Sequence, residues 1–414
     1  MPDELFSSAQ AKSIRPLPTF HPRCDRCRLL RGGCATPKMR VDGLGKRRVL
    51  ICSDYPGAAE DSEGRPFVGR SGQFLEAELG RLGFDMRRDA WLTNALICAS
   101  PDKSQPATAI EDCRPNLLRA IRDLDPVTII LMGGLAVESL IGYLWKPNTG
   151  PVSKWTGRRI PNHKPNAWIC PLNNPAYILK EKSSPVDKLQ FREGLAAAVA
   201  KTTRPWPDGP PNFADRVEII RSPAEAANRL KRYVGGDIAF DYEATMLKPD
   251  SRAFEIVCCG VCWEGQETIC FPWHGPVIPE MKRILSDPKI GKIAANLKYE
   301  DRATRAVLGI DMKGWKFDTM LGAHVLDARR GGGAEGSEKG SGTTGLKFQA
   351  FSRLGQPDYS GHLDDLLKPA GGKSGGNEPN RVREIDFDSL AKYCGSDALL
   401  EWEIAQQMMA ELGM

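Results

Sequence analysis

The sequence lacks any long hydrophobic run. No stretch of about 18 consecutive apolar residues occurs in its 414 residues, which excludes a transmembrane helix. The first 20 residues also lack the apolar segment of a secretory signal, so we expect a cytoplasmic protein. In that compartment the 12 cysteines are reduced thiols, core residues or ligands of a metal or cluster, and not a disulfide framework.

The composition is that of an ordinary globular chain. Hydrophobic residues make up 41% and charged residues 26%, which excludes a disordered or fibrous protein, and the length favours two or three domains. The net charge of +5 is uneven: the first 200 residues have a basic excess and the rest a small acidic excess. A basic half favours a polyanionic partner such as nucleic acid, although two solvated surfaces of different sign explain the charge equally well.

Strand-like and helix-like patterns alternate in the first half. Apolar runs at 48–53, 91–98, 127–133 and 167–172 predict strands, and 71–84 has apolar residues at helical spacing. Such alternation predicts an α/β layer fold with a mostly parallel sheet. We predict this division of the chain: an N-terminal extension at 1–20, a first domain at 21–200, a proline-rich linker at 201–214 and a second domain at 215–414.

The second half begins with a helical pattern. Residues 222–234 follow Ser222, which we predict to be the N-cap, and DIAFDYEA at 237–244 predicts a strand. Residues 255–263 and 268–273 predict a hairpin, and helices dominate from about 279. Two glycine-rich stretches, at 329–345 and 368–380, cannot bury much apolar surface, and we expect mobile loops there.

Several carboxylates lie within the predicted strands and helices of this second half. Asp241 and Glu243 are two residues apart at the end of a strand, so both point to one face. Glu300 and Asp301 start a helical pattern. Tyr393 and Asp397 are spaced i, i+4 and share a helix face. A metal site and an ordinary polar strand end explain the first pair about equally well.

These segments, taken in order, resemble the 3′–5′ proofreading exonuclease domain of the bacterial DNA polymerase I type, within the ribonuclease-H-like group. The resemblance covers nearly all of residues 215–414 and implies a mixed sheet. It places Asp241 and Glu243 in the family's D-x-E motif. Glu300 stands where the second motif usually has Asp, so Asp301 is a rival, and Tyr393 and Asp397 match the third motif.

The resemblance also implies a chemistry. Phosphodiester hydrolysis needs an activated water and a stabilised leaving oxygen, which two Mg²⁺ or Mn²⁺ ions supply, and such cations prefer carboxylate oxygens. We expect Asp241 to bridge the ions, Glu243 and Asp397 to complete one site, Glu300 to support the other, and Tyr393 to orient the water. Asn296 is then a candidate DNA contact, and Asp318 a structural residue.

The sequence ends soon after Asp397. The residues beyond Asp397 are too few for a polymerase domain, so we expect an exonuclease that acts on single-stranded or frayed 3′ ends of DNA and serves, in trans, a DNA polymerase lacking its own exonuclease. A compact replication subunit without a polymerase domain suits the small genome of a bacteriophage. We therefore expect a phage protein that works in the cytoplasm of a bacterial host.

The cysteines of the first half suggest a ligand set. Cys24 and Cys27 form a C-x2-C motif, and Cys98 and Cys113 come later in the chain. Four thiolates suit zinc as well as an iron–sulfur cluster. Cys34 is a further cysteine close in sequence to Cys24 and Cys27, and it is not needed for a set of four ligands. We interpret Cys258, Cys259 and Cys262 as core residues because strand alternation divides them between two faces.

The surrounding motifs point to the cluster. DYPGAAEDSEGRPFVGRSGQFL at 54–75, LTNALIC at 92–98, GGLAVESLIG at 133–142 and NNPAYIL at 173–179 resemble, in this order, the iron–sulfur uracil-DNA glycosylases of family 4. The resemblance covers about residues 20–185. It implies a three-layer αβα domain and a 4Fe–4S cluster on Cys24, Cys27, Cys98 and Cys113.

The same resemblance assigns residues to a base pocket. Asp54 falls on the family's water-activating Glu, Phe67 on the aromatic that stacks on the extruded base, and Asn94 on the Asn that reads uracil. Asn174 stands where the family has a catalytic His, and Asn offers only a neutral donor. This leaves four alternatives: a weakened glycosylase on uracil-containing DNA, another base specificity, a base-reading DNA clamp, and a platform that docks a polymerase.

Overall fold

The structure is a computed structural model. It describes residues 24, 27, 29, 34–99, 108–263, 267–327, 342–361, 363–369 and 378–414. Most of the two glycine-rich stretches predicted to be mobile lies outside these residues. The chain divides into two compact units, one comprising the residues up to Pro210 together with Phe351–Pro357, and the other Pro211–Ala350 with Asp358–Met414.

The first unit is built on a five-stranded sheet in the order β2–β1–β3–β5–β4. Four strands are parallel, and β4 pairs antiparallel with β5. The strands are β1 (Val49–Ser53), β2 (Ala90–Asn94), β3 (Thr128–Met132), β4 (Ile160–Asn162) and β5 (Ala167–Leu172). The helices are α1 (Ala58–Glu63), α2 (Arg70–Gly80), α3 (Met86–Asp89), α4 (Ala109–Leu124), α5 (Gly134–Leu144), α6 (Pro175–Ile178) and α7 (Pro185–Val199).

Helices cover both faces of this sheet. Ile51 and Ile130 belong to the same buried core as Leu75 of α2 and Phe191 of α7. The alternate strand residues, such as Leu50, point the other way and are also fully buried. On that side α5 packs against β1 and β3, and α4 packs against α5. The predicted three-layer αβα domain is therefore confirmed.

The second unit contains a six-stranded mixed sheet in the order β11–β10–β7–β8–β9–β6. The strands are β6 (Val217–Ile219), β7 (Asp237–Ala244), β8 (Ile256–Trp263), β9 (Glu267–Pro272), β10 (Gly291–Ala294) and β11 (Trp315–Asp318). The helices are α8 (Pro223–Lys231), α9 (Val277–Ser286), α10 (Leu297–Leu308), α11 (Thr319–Leu326), α12 (Leu346–Leu354, of which the residues up to Ala350 belong to this unit) and α13 (Phe387–Leu412).

The strand directions confirm the expected ribonuclease-H-like fold. Strands β7, β8 and β9 form an antiparallel meander, and β10 and β11 run parallel to β7 on its other side. One face, with Phe240 and Tyr242, packs against apolar residues of α8, α9 and α10. The other face packs against α13. Cys259 lies on the first face, and Cys258 and Cys262 lie on the second, all fully buried, as the alternation predicted.

Several predicted elements match closely, but two extend too far, and one of these is the helical pattern over 71–84, because α2 ends at Gly80. Strands β5 and β7 have the predicted bounds, and Ser222 caps α8 by accepting a hydrogen bond from the backbone of Glu225. The strand predicted over 91–98 is wrong beyond Asn94. There the chain turns, because the N–H groups of Ala95 and Leu96 bond to the carbonyls of Ser53 and Asp54. In the described part of the chain no helix is long and apolar enough to cross a bilayer.

Candidate active sites

The first candidate site lies on β7 of the second unit. Asp241 and Glu243 share a face of this strand, opposite the buried Phe240 and Tyr242. The strand forms because its alternate residues are apolar and fill the core on the far side of the sheet. The two carboxylates therefore share one face, as their spacing predicted, and α13 packs against this side of the strand.

Helix α13 approaches the sheet closely at two glycines. A Cβ on Gly260, which pairs with Asp241, would lie 2.6 Å from the carbonyl oxygen of Cys394. A Cβ on Gly395 would lie 2.3 Å from Val217. This approach brings Asp397 to the strand, where one carboxylate oxygen each from Asp241, Glu243 and Asp397 lie within 4.8 Å of one another.

The first turn of α10 carries the next carboxylate. Glu300 is 3% exposed, and its charge is one of those that raise the pKa of Asp241. The rival Asp301 pairs instead with Arg305, one turn further along the same helix, at 3.1 Å. The geometry therefore favours Glu300 over Asp301 as the member of this group.

The carboxylates of this group are crowded and repel one another. Burial raises the pKa of Asp241 well above its ordinary value, and the charges of Glu401 and then Glu243 add to the shift. Burial, and next the charge of Asp397, raise the pKa of Glu243 to about 8. Hard divalent cations prefer such an all-oxygen donor set. The residues present therefore fit the Mg²⁺ or Mn²⁺ ions that the sequence predicts.

Two residues that the sequence analysis missed pack against Asp397. The ammonium of Lys347 and the hydroxyl of Tyr359 both donate to its Oδ1. Lys347 also lies 4.0 Å from the ring centroid of Tyr359 and 4.1 Å from that of Tyr393. Tyr393 itself is near the carboxylates, because the charges of Asp397 and Glu243 add to burial in raising its pKa. No spacing rule links Lys347 or Tyr359 to the motifs, so the sequence held no signal for them.

A third missed residue had a readable signal. Glu401 lies on α13 four residues after Asp397, and Asp397 lies four residues after Tyr393, so all three share one line of the helix. Its side chain is buried and accepts a hydrogen bond from the backbone of Ala295 at 3.0 Å. The i, i+4 pattern that identified Tyr393 and Asp397 extends to this residue.

The cysteines of the first unit form a second candidate site. Cys24, Cys27, Cys98 and Cys113 are all buried and line one small pocket. Burial is the main cause that raises the pKa of the Cys98 and Cys113 thiols to about 12, and neighbouring cysteines add to both shifts.

Polar groups surround these sulfur atoms. The backbone N–H groups of Lys38 and Ile97 donate to Cys98 and Cys113, at 3.3 and 3.4 Å. The amide of Asn116 donates to the sulfur of Cys24 at 3.4 Å. Hydrogen bonds to sulfur are a feature that tunes iron–sulfur clusters. Four cysteines that line one pocket with such donors fit the predicted cluster, and zinc also takes four thiolates as ligands.

A third candidate site is an open pocket of about 360 Å³ at the carboxyl ends of β1 and β2. The pocket brings together the two residues that the resemblance assigned to base binding and the two that it placed at glycosylase-like catalytic positions. Its walls include Asp54, Phe67, Asn94 and Asn174, and Tyr177 and Lys180 also contribute. The carboxyl edge of a parallel sheet is where such α/β domains bind ligands.

Phe67 is fixed in this pocket by its backbone. Its φ of +58° is uncommon for a residue with a side chain. A Cβ on Gly72 would lie 2.1 Å from the carbonyl oxygen of Phe67, so only glycine lets this loop pack on α2. Phe67 is 8% exposed and presents its remaining surface to the pocket.

Asp54 is engaged by several donors. Its Oδ1 accepts hydrogen bonds from the backbone N–H groups of Leu135 at 2.8 Å and Ala136 at 3.2 Å, in the first turn of α5. Its Oδ2 accepts one from the amide of Asn174 at 2.9 Å. Burial is the main cause that raises the pKa of Asp54, and these hydrogen bonds oppose the rise. A Cβ on Gly133 would lie 2.0 Å from Oδ2, so glycine is required there.

This α/β protein therefore has an open pocket and a group of buried cysteines in one unit and a group of carboxylates in the other. Residues 43–197 match the family model of the uracil DNA glycosylase superfamily. Residues 217–413 match the model of the 3′–5′ exonuclease domain of A-type DNA polymerases. The chain therefore joins a uracil-DNA-glycosylase-superfamily domain to a DNA polymerase A-type 3′–5′ exonuclease domain.

Curated relatives match either one domain or both. The type-4 uracil-DNA glycosylase of Pyrobaculum aerophilum is 38% identical over 121 residues, which cover 28% of this chain and 59% of the relative. DNA polymerase I of Chloroflexus aurantiacus is 24% identical over 91% of this chain and 37% of its own length. The DNA polymerase of Bacillus phage SP01 is 22% identical over 89% of this chain and 40% of its own length. The chain thus spans little more than half of the glycosylase and well under half of each polymerase.

Proposed function

We propose that this protein is a metal-dependent 3′–5′ DNA exonuclease. The observation that carries the proposal is the convergence of Asp241, Glu243 and Asp397, with Glu300 buried beside them. When bound, two Mg²⁺ or Mn²⁺ ions activate water and stabilise the leaving oxygen of a phosphodiester.

Each residue of the site has a separate proposed role. Asp241, on which the charges of Glu243, Asp397 and Glu300 all act, would contribute to both ion sites. Glu243 and Asp397 would hold one ion, and Glu300 would hold the other. The hydroxyl of Tyr393 orients the attacking water. Lys347, paired with Asp397, fixes the orientation of that carboxylate.

The substrate we propose is a single-stranded or frayed 3′ end of DNA. We further propose that the exonuclease proofreads for a DNA polymerase lacking its own exonuclease. Two DNA polymerases align along about nine-tenths of this chain, which supports this partner. One of them belongs to a bacteriophage, which is consistent with a phage protein in the cytoplasm of a bacterial host.

For the first unit we propose a role in holding DNA rather than in cleaving a glycosidic bond. Asp54 lines the open pocket, but hydrogen bonds from Leu135, Ala136 and Asn174 already occupy three of the roughly four acceptor positions that its carboxylate would use as a general base. The pocket nevertheless keeps Phe67 and Asn94, which suit an extruded base. The domain then acts as a base-reading clamp or as a platform that docks the polymerase.

We also propose that Cys24, Cys27, Cys98 and Cys113 hold a 4Fe–4S cluster. All four residues line one pocket, and three of the sulfur atoms accept N–H groups. The cluster would link the segment before β1 to the turn after β2 and to α4. We propose a structural role for it, because it would tie these three segments together.

The test of the exonuclease uses single-stranded DNA labelled at its 5′ end. With Mg²⁺ the wild type should shorten it stepwise from the 3′ end, and EDTA should stop the reaction. Glu300→Gln should slow digestion by about 10²-fold or more, whereas Asp301→Asn should leave the rate within a few fold of the wild type. Equal losses for both variants would reject the assignment of Glu300.

A further inference from the structure

Glu401 is a buried carboxylate to which the proposed exonuclease mechanism assigns no role. It lies on α13, one turn beyond Asp397 and two turns beyond Tyr393, on the same line of the helix. Its side chain is only 1% exposed. A buried carboxylate is costly unless a hydrogen bond or a cation compensates it, so its partners need to be identified.

One oxygen of Glu401 fixes the turn that leads into α10. Its Oε1 accepts the N–H of Ala295 at 3.0 Å, and Asp318 accepts the next two N–H groups, from Asn296 at 3.1 Å and Leu297 at 3.0 Å. Three consecutive N–H groups are thus bound by two carboxylates. This turn sets the start of the helix whose first turn carries Glu300.

The other oxygen is uncompensated. Among the described residues, Oε2 of Glu401 has no hydrogen-bond partner, and neither has Oε2 of Glu300. Burial is the main cause that raises the pKa of Glu401, and the charge of Glu300 is the next; the charge of Glu401 in turn helps to raise the pKa of Asp241. The nearby cation, Lys347, is paired with Asp397. Glu401 and Glu300 therefore each keep one buried oxygen that no described donor occupies and that is available to a cation.

We propose that Glu401 is a fifth carboxylate of the exonuclease site and that it binds a divalent cation together with Glu300. This inference rests on the proposed exonuclease function. Its oxygen donors are of the kind that Mg²⁺ and Mn²⁺ prefer. Through Ala295 it also fixes the element that supplies Glu300, so one side chain both binds the ion and positions the other ligand.

Glu401→Gln tests this proposal, because we expect it to weaken Mn²⁺ binding without lowering the stability of the metal-free protein. Glutamine keeps an oxygen for Ala295, but it removes the charge and adds a donor for a neighbouring carboxylate. Mn²⁺ binding, followed by the electron paramagnetic resonance of free Mn²⁺, should show two ions per wild-type chain and at least a tenfold weaker second ion in the variant. In EDTA the urea midpoint of the variant should equal or exceed that of the wild type, because one like charge has gone.

Two further variants complete the test. Glu403→Gln, on the same helix, removes an exposed partner of Arg216 and should leave Mn²⁺ binding unchanged. Glu401→Asp keeps the charge and should recover much of the Mn²⁺ affinity lost in Glu401→Gln.

The outcomes separate this inference from the proposed function. Unchanged Mn²⁺ binding in Glu401→Gln, whether or not stability falls, would overturn the inference and leave Glu401 with a structural role. A wild type that neither binds Mn²⁺ nor digests DNA would instead reject the exonuclease function itself. A lower urea midpoint in EDTA together with weaker Mn²⁺ binding that Glu401→Asp fails to recover would also overturn the inference, because the loss would then come from misfolding.

Discussion

The side-chain amide of Asn174 donates a hydrogen bond to Oδ2 of Asp54 at 2.9 Å, and a second hydrogen bond to Oγ of Ser53 at 3.2 Å. In the same side chain, Oδ1 accepts the N–H of Ala176 and caps α6. The whole amide is therefore used within the protein. Asn174 restrains the carboxylate that the resemblance to glycosylases would require as a base.

We expect the wild type to leave uracil in DNA. In an Asp241→Asn background, which removes digestion, a uracil-containing oligonucleotide treated with the protein and then with alkali should show no strand break. Asn174→His should release Asp54 and add a group that stabilises negative charge. One such group commonly changes the reaction rate by a factor of about 10² to 10³. A gained signal should disappear again in Asn174→His combined with Asp54→Asn. Clear strand cleavage at uracil by the protein that keeps Asn174 would show that Asn174 does not prevent Asp54 from acting as a base.

The cluster proposal predicts iron in the purified protein. Purified without oxygen, the protein should contain about four irons and four sulfides per chain and show a visible absorbance that dithionite bleaches. Cys98→Ser should lose the iron. Cys34→Ser should keep it, because Cys34 packs beside the group without lining the pocket. A colourless protein with one zinc per chain would show that the four thiolates form a zinc site.

Lys347 should matter most when divalent cations are absent. Lys347→Met leaves the buried Asp397 without its cation, and the loss of a charged hydrogen bond typically costs about 2 kcal/mol. We expect urea unfolding in EDTA to show that loss, and saturating Mn²⁺ to reduce it. Lys316→Met, which removes an exposed ammonium 3.7 Å from Asp237, should change stability little in either condition. An equal loss with and without Mn²⁺ would contradict this role.

The metal-free protein should lose stability as the pH rises. Burial and the charge of Asp397 raise the pKa of Glu243 from its ordinary 4.5 to about 8. The folded state then binds more protons than the unfolded state between these values, so stability is greatest at the acidic end and falls toward pH 8. Urea midpoints in EDTA should therefore decrease across this range, and Mg²⁺ should flatten the trend. A urea midpoint that rises with pH in EDTA would contradict the raised pKa of Glu243 in the carboxylate group.

Much of the fold was predictable because period-two patterns are clear in strands buried on one or both faces. Strand β7 has the predicted bounds, and its spacing correctly placed Asp241 and Glu243 on one face. The strand predicted over 91–98 ran too long because the apolar residues after Asn94 are buried in a turn, and pattern alone does not separate a buried turn from a strand.

The sites were predictable only in part. Helical spacing related Tyr393 to Asp397, and extending it by one turn would have found Glu401. The choice between Glu300 and Asp301 depended on which side of α10 faces the sheet, which adjacent residues in a sequence do not reveal. Lys347 reaches the site from α12, a long-range contact that no local pattern encodes.

The most direct test of the central claim compares two aspartates of the same strand. Asp241→Asn should reduce Mg²⁺-dependent digestion of 5′-labelled single-stranded DNA by at least about 10³-fold, because the proposed bridging ligand is lost. Asp237→Asn, at the start of β7 and next to Lys316, should digest at the wild-type rate. Circular dichroism should show both variants folded. Stepwise 3′ digestion by Asp241→Asn at the wild-type rate would contradict the assignment of this site as the exonuclease centre.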